Sequence, residues 1–234
     1  MQTKNIIWLT IFSIAMGMLE SAVVIYIREL YYPQGFSFPL VMISNRVAAT
    51  ELLREAATVI MLMGIAYFSG KNFITRFGSF LYAFAIWDIL YYVFLWLIIG
   101  WPESFLTWDI LFLIPIMWVG PVIAPVIVSL TMILFAFVFW NTNNKGMNIK
   151  IIKKEWLMMI FASLILILSF TLDLIKYLSD NYTLKEALSF NNENLINLTT
   201  HYIPSHYNWT LFVLGELLLL ITIGLFYRRV KKTY

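Results

Sequence analysis

Three carboxylates interrupt apolar runs that are long enough to cross a bilayer: Glu20, Asp88 and Glu216. A run of about 20 apolar residues matches a hydrocarbon layer of about 30 Å. A carboxyl inside such a run is costly, so it faces a protein interior, a partner or a water-filled cavity. There it can exchange protons, hold a cation or a polar solute, or act in an acid–base pair. The structural alternative is an interhelical hydrogen-bond clamp. Further candidates are Glu51, Glu55 and Asp109, with Arg28 and Arg54 among them; Asp109 could instead cap or anchor the segment that carries it.

Spacing adds detail to these candidates. Ser13, Gly17, Glu20, Ser21, Val24 and Arg28 fall on one side of a helix, and small residues there let another helix come close. That approach would bury Glu20. Tyr91 and Tyr92 follow Asp88 at i+3 and i+4, which puts two phenols on its face. Glu51 and Glu55 are one helical turn apart with Arg54 between them in sequence, as in an ion-pair network or a cation site. Asp173 and Lys176 are spaced for local pairing.

Several chemistries are excluded or weakened. The chain has no cysteine, so disulfides, iron–sulfur ligation and thiol nucleophiles are absent. Its two histidines, His201 and His206, lie in a polar loop and form a weak metal signal. Neither serves a haem within the spans, and no cofactor is indicated. HExxH, serine-nucleophile, aspartyl-protease and P-loop elements are missing, which argues against an enzyme of known pattern. No basic face alternates with exposed aromatics, so no nucleic-acid partner is implied.

The elements that must position these groups follow from composition. Of 234 residues, 61% are hydrophobic and 12% charged. Soluble domains carry about 25% charged residues, so the chain reads as a single all-α transmembrane bundle over residues 1–234. Spans are expected at Ile6–Ile27, Thr50–Ser69, Phe77–Ile99, Gly120–Trp140, Trp156–Ile175 and Trp209–Tyr227. The fourth opens with Pro121 and Pro125, which a helix start tolerates. The first run lacks a cleavage site and is read as a retained helix.

Trp101–Val119 is the difficult piece. Its apolar core is about 15 residues long and contains Asp109 and Pro115, which is short for a crossing. A re-entrant or interfacial helix is expected there; a seventh span is the alternative. The tetrapeptide Trp87–Leu90 recurs as Trp108–Leu111, a repeat too short to imply a duplicated architecture.

Six spans with the N-terminus inside place eleven Lys and Arg on the inner side and five on the outer side. This satisfies the positive-inside rule. Seven spans with the N-terminus outside satisfy it equally, so charge fixes only the C-terminal half. The expected organisation has a polar extracytoplasmic loop over 176–208 and a basic cytoplasmic tail over 228–234. A bacterial inner membrane is the expected location. Sequons at Asn181, Asn197 and Asn208 matter only in a eukaryotic source.

In this topology seven carboxylates crowd the outer half, which suggests a polar cavity opening outward. Three readings follow. The first is transport or conduction of protons, cations or a small polar solute. The second is a non-catalytic subunit or assembly factor of a larger membrane complex, or a homo-oligomer. The third is a membrane-embedded enzyme using paired carboxylates on a lipid-like substrate.

Overall fold

In a computed structural model, residues 3–114, 116–143, 149–181 and 200–233 are described. Among these residues six helices form the bundle: α1 (Thr3–Tyr31), α2 (Asn45–Ser69), α3 (Phe73–Ile99), α4 (Ile123–Asn143), α5 (Lys153–Asn181) and α6 (Trp209–Thr233). Each is long and apolar enough to span a membrane. The chain is therefore a multi-pass membrane protein, with six candidate crossings among the described residues. Its outward side chains, such as Trp8, Leu53, Phe68, Trp96 and Phe161, are exposed and suit contact with lipid.

Local chemistry sets the helix ends. The Ser44 hydroxyl accepts from the Val47 N–H and starts α2. Asn72 caps α3, and Thr75 returns the bond in a reciprocal box. Gly100 ends α3 with φ of 68°, in the left-handed region where a glycine carries no Cβ penalty.

The segment between α3 and α4 is an antiparallel β-hairpin, β1 (Trp108–Phe112) and β2 (Trp118–Pro121), and not the expected helix. The register pairs Trp108 with Pro121, Asp109 with Gly120 and Ile110 with Val119, with an irregularity before Phe112. Residue types explain the difference. Trp, Ile, Phe and Val favour strands, and Pro115 would break a helix of this length. Non-helical backbone survives near a bilayer when protein covers it. Here Met117 and Val119 pack with Leu174 and Tyr202, and Trp118 stacks on Phe170 of α5.

Other boundaries shift for related reasons. Gly120 and Pro121 belong to β2, so α4 starts at Ile123. The Val122 and Ile123 N–H groups donate back to the Thr107 and Phe105 carbonyls, which holds this stretch on the segment leading into β1. Helix α5 continues to Asn181, so residues 176–181 of the expected loop are helical. Helix α6 takes in most of the basic tail. The expected short helix over Thr183–Leu188 and the sequon at Asn197 lie outside the described residues. Of the recurring tetrapeptides, one is helical and the other is strand, so they are not one repeated element.

Helix α3 is central and packs on α1, α2 and α4; α4 connects to α6, and α6 pairs with α5. Successive helices run in alternating directions. At one end Asn5 of α1 bonds the Ser69 carbonyl of α2, Trp140 of α4 bonds Thr75 of α3, and Glu155 of α5 meets Arg229 of α6. The opposite end carries the hairpin and the candidate site. Two further buried clusters fill the interior, one around Phe139, Phe170 and Phe226, the other around Leu9, Leu62 and Trp87.

Candidate functional site

The first part of the site comes from the small-residue face of α1. Ser13, Gly17, Glu20, Ser21 and Arg28 are buried. A Cβ on Gly17 would meet the Leu90 Cβ at 3.0 Å and the Trp87 carbonyl at 3.1 Å, so α1 and α3 nearly touch there. The Ser21 hydroxyl donates to the Tyr91 carbonyl at 3.0 Å and ties the same two helices. This face presents Glu20 to α2. Its carboxylate forms an ion pair with Arg54 and accepts from the Thr58 hydroxyl at 3.3 Å. Arg54 also binds Glu51, one turn before it, at 2.7 Å. One guanidinium thus bridges two carboxylates.

The hairpin supplies the second part. Asp109, on β1, is 1% exposed. It accepts from Arg28 Nη2 of α1 at 3.1 Å and from the Tyr92 hydroxyl of α3 at 3.2 Å. Burial pushes its carboxyl from an ordinary 3.8 up to about 6, while the Arg28 charge pulls it down. The Arg28 guanidinium lies 3.6 Å from the Trp101 ring centroid and 4.5 Å from that of Phe36, a cation–π cage. Its Nη1 is buried and has no partner among the described residues. Glu55, one turn beyond Glu51, turns to the hairpin and accepts from the Leu113 N–H at 2.9 Å.

Both parts border one cavity of about 330 Å³ at the hairpin end. Arg28, Glu51, Arg54, Glu55, Tyr91 and Asp109 line it, among apolar walls that include Ile27, Val41, Leu113 and Met117. The Tyr91 hydroxyl has no hydrogen-bond partner among the described residues. Tyr32 also lines the cavity; its hydroxyl accepts from the Val41 N–H at 2.9 Å, and burial raises its pKa. Three carboxylates and two guanidinium groups face the space, and Glu20 adds a fourth carboxylate behind Arg54.

The other two deep carboxylates lie elsewhere. Asp88 accepts from the Ser129 hydroxyl of α4 at 2.8 Å, and Glu216 from the Thr131 hydroxyl of α4 at 2.7 Å. These hydroxyls are two residues apart on α4 and so face opposite sides of it. Asp88 and Glu216 are not drawn into the cavity. Tyr92 gives its hydroxyl to Asp109 instead of to Asp88. Asp173 accepts from the Tyr202 hydroxyl, the Ser205 hydroxyl and the Ser205 and His206 N–H groups, and thereby pins the loop before α6. Lys176 is not its partner among the described ion pairs. No group of three His, Cys, Asp or Glu suited to a metal occurs among the described residues, and His206 contributes only its backbone to Asp173.

Trp101, Phe36, Tyr32 and Thr58 are site residues that sequence reasoning passed over. Trp101 follows the helix-ending Gly100, and Phe36 lies in the Pro-Gly-rich connection after α1. The fold that brings both onto Arg28 depends on contacts distant in sequence, which no local pattern carries.

No protein-family model, curated protein or solved structure matches this chain.

Proposed function

We propose that this membrane protein binds a small cationic or polar solute in the hairpin-end cavity, as the loading step of transport. The observation that carries the reading is the charge balance of that cavity. Glu51, Glu55 and Asp109 face it against Arg28 and Arg54, with Glu20 alongside. Arg28 is matched by Asp109, and Arg54 by Glu20 and Glu51, so Glu55 is a carboxyl with no cationic partner among the described ion pairs. Apolar walls lower the local dielectric and strengthen the attraction for a cation. Conduction of protons by a chain of deep carboxyls has less support, because Asp88 and Glu216 are bonded to hydroxyls on opposite sides of α4, although Glu216 Oε1 is buried without a partner among the described residues.

We infer the orientation from the basic residues. Lys4, Lys71, Arg76, Lys153, Arg228 and Lys231 belong to the end opposite the hairpin, and the positive-inside rule assigns that end to the cytoplasm. The cavity then faces outward, and the C-terminus is cytoplasmic.

Calorimetric titration of the purified protein with methylammonium tests the reading. The wild type binds, and the Glu51→Gln/Glu55→Gln double variant, folded to the same unfolding temperature, loses at least tenfold in affinity. Equal affinity in both, or no binding by the wild type, overturns it. Absence of binding together with a stoichiometric co-purifying membrane protein would favour the subunit reading.

A further inference from the structure

The end of the bundle opposite the cavity carries a charge pattern that orientation alone does not require. Cations gather where α5 begins and α6 ends: Lys150, Lys153 and Lys154 in one stretch, Arg228, Arg229, Lys231 and Lys232 in the other. Glu155 draws the two stretches together. It pairs with Arg229 at 2.8 Å, and Arg229 Nη2 also donates to the Lys150 carbonyl at 2.9 Å. Glu155 is buried and is the one carboxylate in these stretches. The cations other than Arg229 are exposed. Their positions matter as much as their number. On α5 the exposed Leu157, Phe161 and Leu164 form an outward stripe, and Lys153 continues it one turn earlier. On α6 the exposed Leu217, Ile221 and Leu225 form the equivalent stripe, and Arg228 and Lys232 extend it over the next two turns. The faces that suit acyl chains therefore end in positive charge. Exposed Tyr227 sits beside Arg228, and such amphipathic rings belong at head-group depth.

We propose that the joined ends of α5 and α6 bind anionic phospholipid head groups, with Lys153, Lys154, Arg228 and Lys232 meeting their negative charge. Lysine and arginine both suit phosphate oxygens. Their aliphatic stems lie along apolar surface while the charged heads reach the polar layer. The stripes decide for lipid over a soluble polyanion, because the cations continue faces that are apolar along the rest of each helix. Each cation near an anionic membrane surface strengthens binding about fivefold, so a cluster separates anionic from neutral lipid. This surface is separate from the solute cavity and does not depend on how that cavity is used.

Affinities of the purified protein, in micelles of a neutral detergent, for dioleoyl-phosphatidylglycerol and dioleoyl-phosphatidylcholine test this. The anionic lipid is expected to bind at least about tenfold tighter, and the advantage shrinks as salt is raised. This wild-type ratio and its salt dependence stand without any variant. In Lys153→Gln/Lys154→Gln/Arg228→Gln/Lys232→Gln, all at exposed positions, the lipid-free unfolding temperature holds and the ratio falls toward unity. Lys4→Gln/Lys71→Gln removes exposed cations from the same end of the bundle but outside the cluster, and it keeps the ratio. Equal wild-type affinities for the two lipids overturn the proposal. So does a preference that survives the quadruple substitution, or an equal loss in the Lys4/Lys71 control. Binding of single-stranded DNA by the wild type, with no preference between the lipids, overturns it in favour of a soluble polyanion.

Discussion

Arg28 and Asp109 are buried together, and each is the other's charge partner. Asp109→Leu strands the guanidinium, and loss of one member of a buried pair costs about 3–5 kcal/mol. Asp109→Asn keeps an amide oxygen to accept from Arg28, turns the Tyr92 contact into one in which the amide NH2 donates to the hydroxyl oxygen, and removes the titration. Because burial pushes Asp109 up to about 6, the folded protein holds this proton more tightly than the unfolded chain. The group's contribution to stability therefore falls as pH rises from about 4 to about 6, and is constant above. From 3.8 to about 6 the change amounts to about 3 kcal/mol. Unfolding temperature measured against pH should show this decline in the wild type and lack it in Asp109→Asn; parallel curves would contradict it.

At the scale of elements, the close crossing of α1 on α3 sets where Glu20 meets Arg54. Gly17 leaves no room for a Cβ without movement of Leu90 or of backbone. Gly17→Val is expected to separate the helices and to cost about 1–3 kcal/mol. A comparable unfolding temperature in the variant would show that the crossing yields easily. This crossing was legible in the sequence, since Ser13, Gly17 and Ser21 recur every four residues and the structure buries all three. The hairpin was not. A 15-residue apolar stretch reads alike as a short helix or as two strands. What decides is the long-range cover from Leu174, Tyr202 and Phe170, which local spacing does not encode. Carboxylates in lipid were found by type alone, and their partners were not. Asp88 and Glu216 look equivalent to Glu20 in sequence, but Ser129 and Thr131 of α4 intercept them.

At the scale of the whole molecule, the alternating helices separate two chemically different ends. One carries most of the described basic residues and the Glu155–Arg229 pair; the other carries the carboxylate-rich cavity, with Arg28 and Arg54, and the hairpin. Because the chain has no cysteine, single-cysteine variants report orientation cleanly. In intact cells a membrane-impermeant maleimide is expected to label Glu103→Cys and to reach Lys231→Cys only after permeabilisation. The reverse pattern would invert the topology and turn the cavity toward the cytoplasm.

The charge of the cavity is central to the account, and it can be read before any ligand is identified. Ala48 lines the cavity and is half-buried. The informative quantity is the reaction rate of Ala48→Cys with cationic aminoethyl and anionic sulfonatoethyl methanethiosulfonates, each normalised to its rate at the exposed Phe105→Cys. The cationic reagent should react at least tenfold faster, and the preference should collapse when Glu51→Gln and Glu55→Gln are added. Equal rates, or a preference for the anionic reagent, would contradict a cavity built to receive a cation.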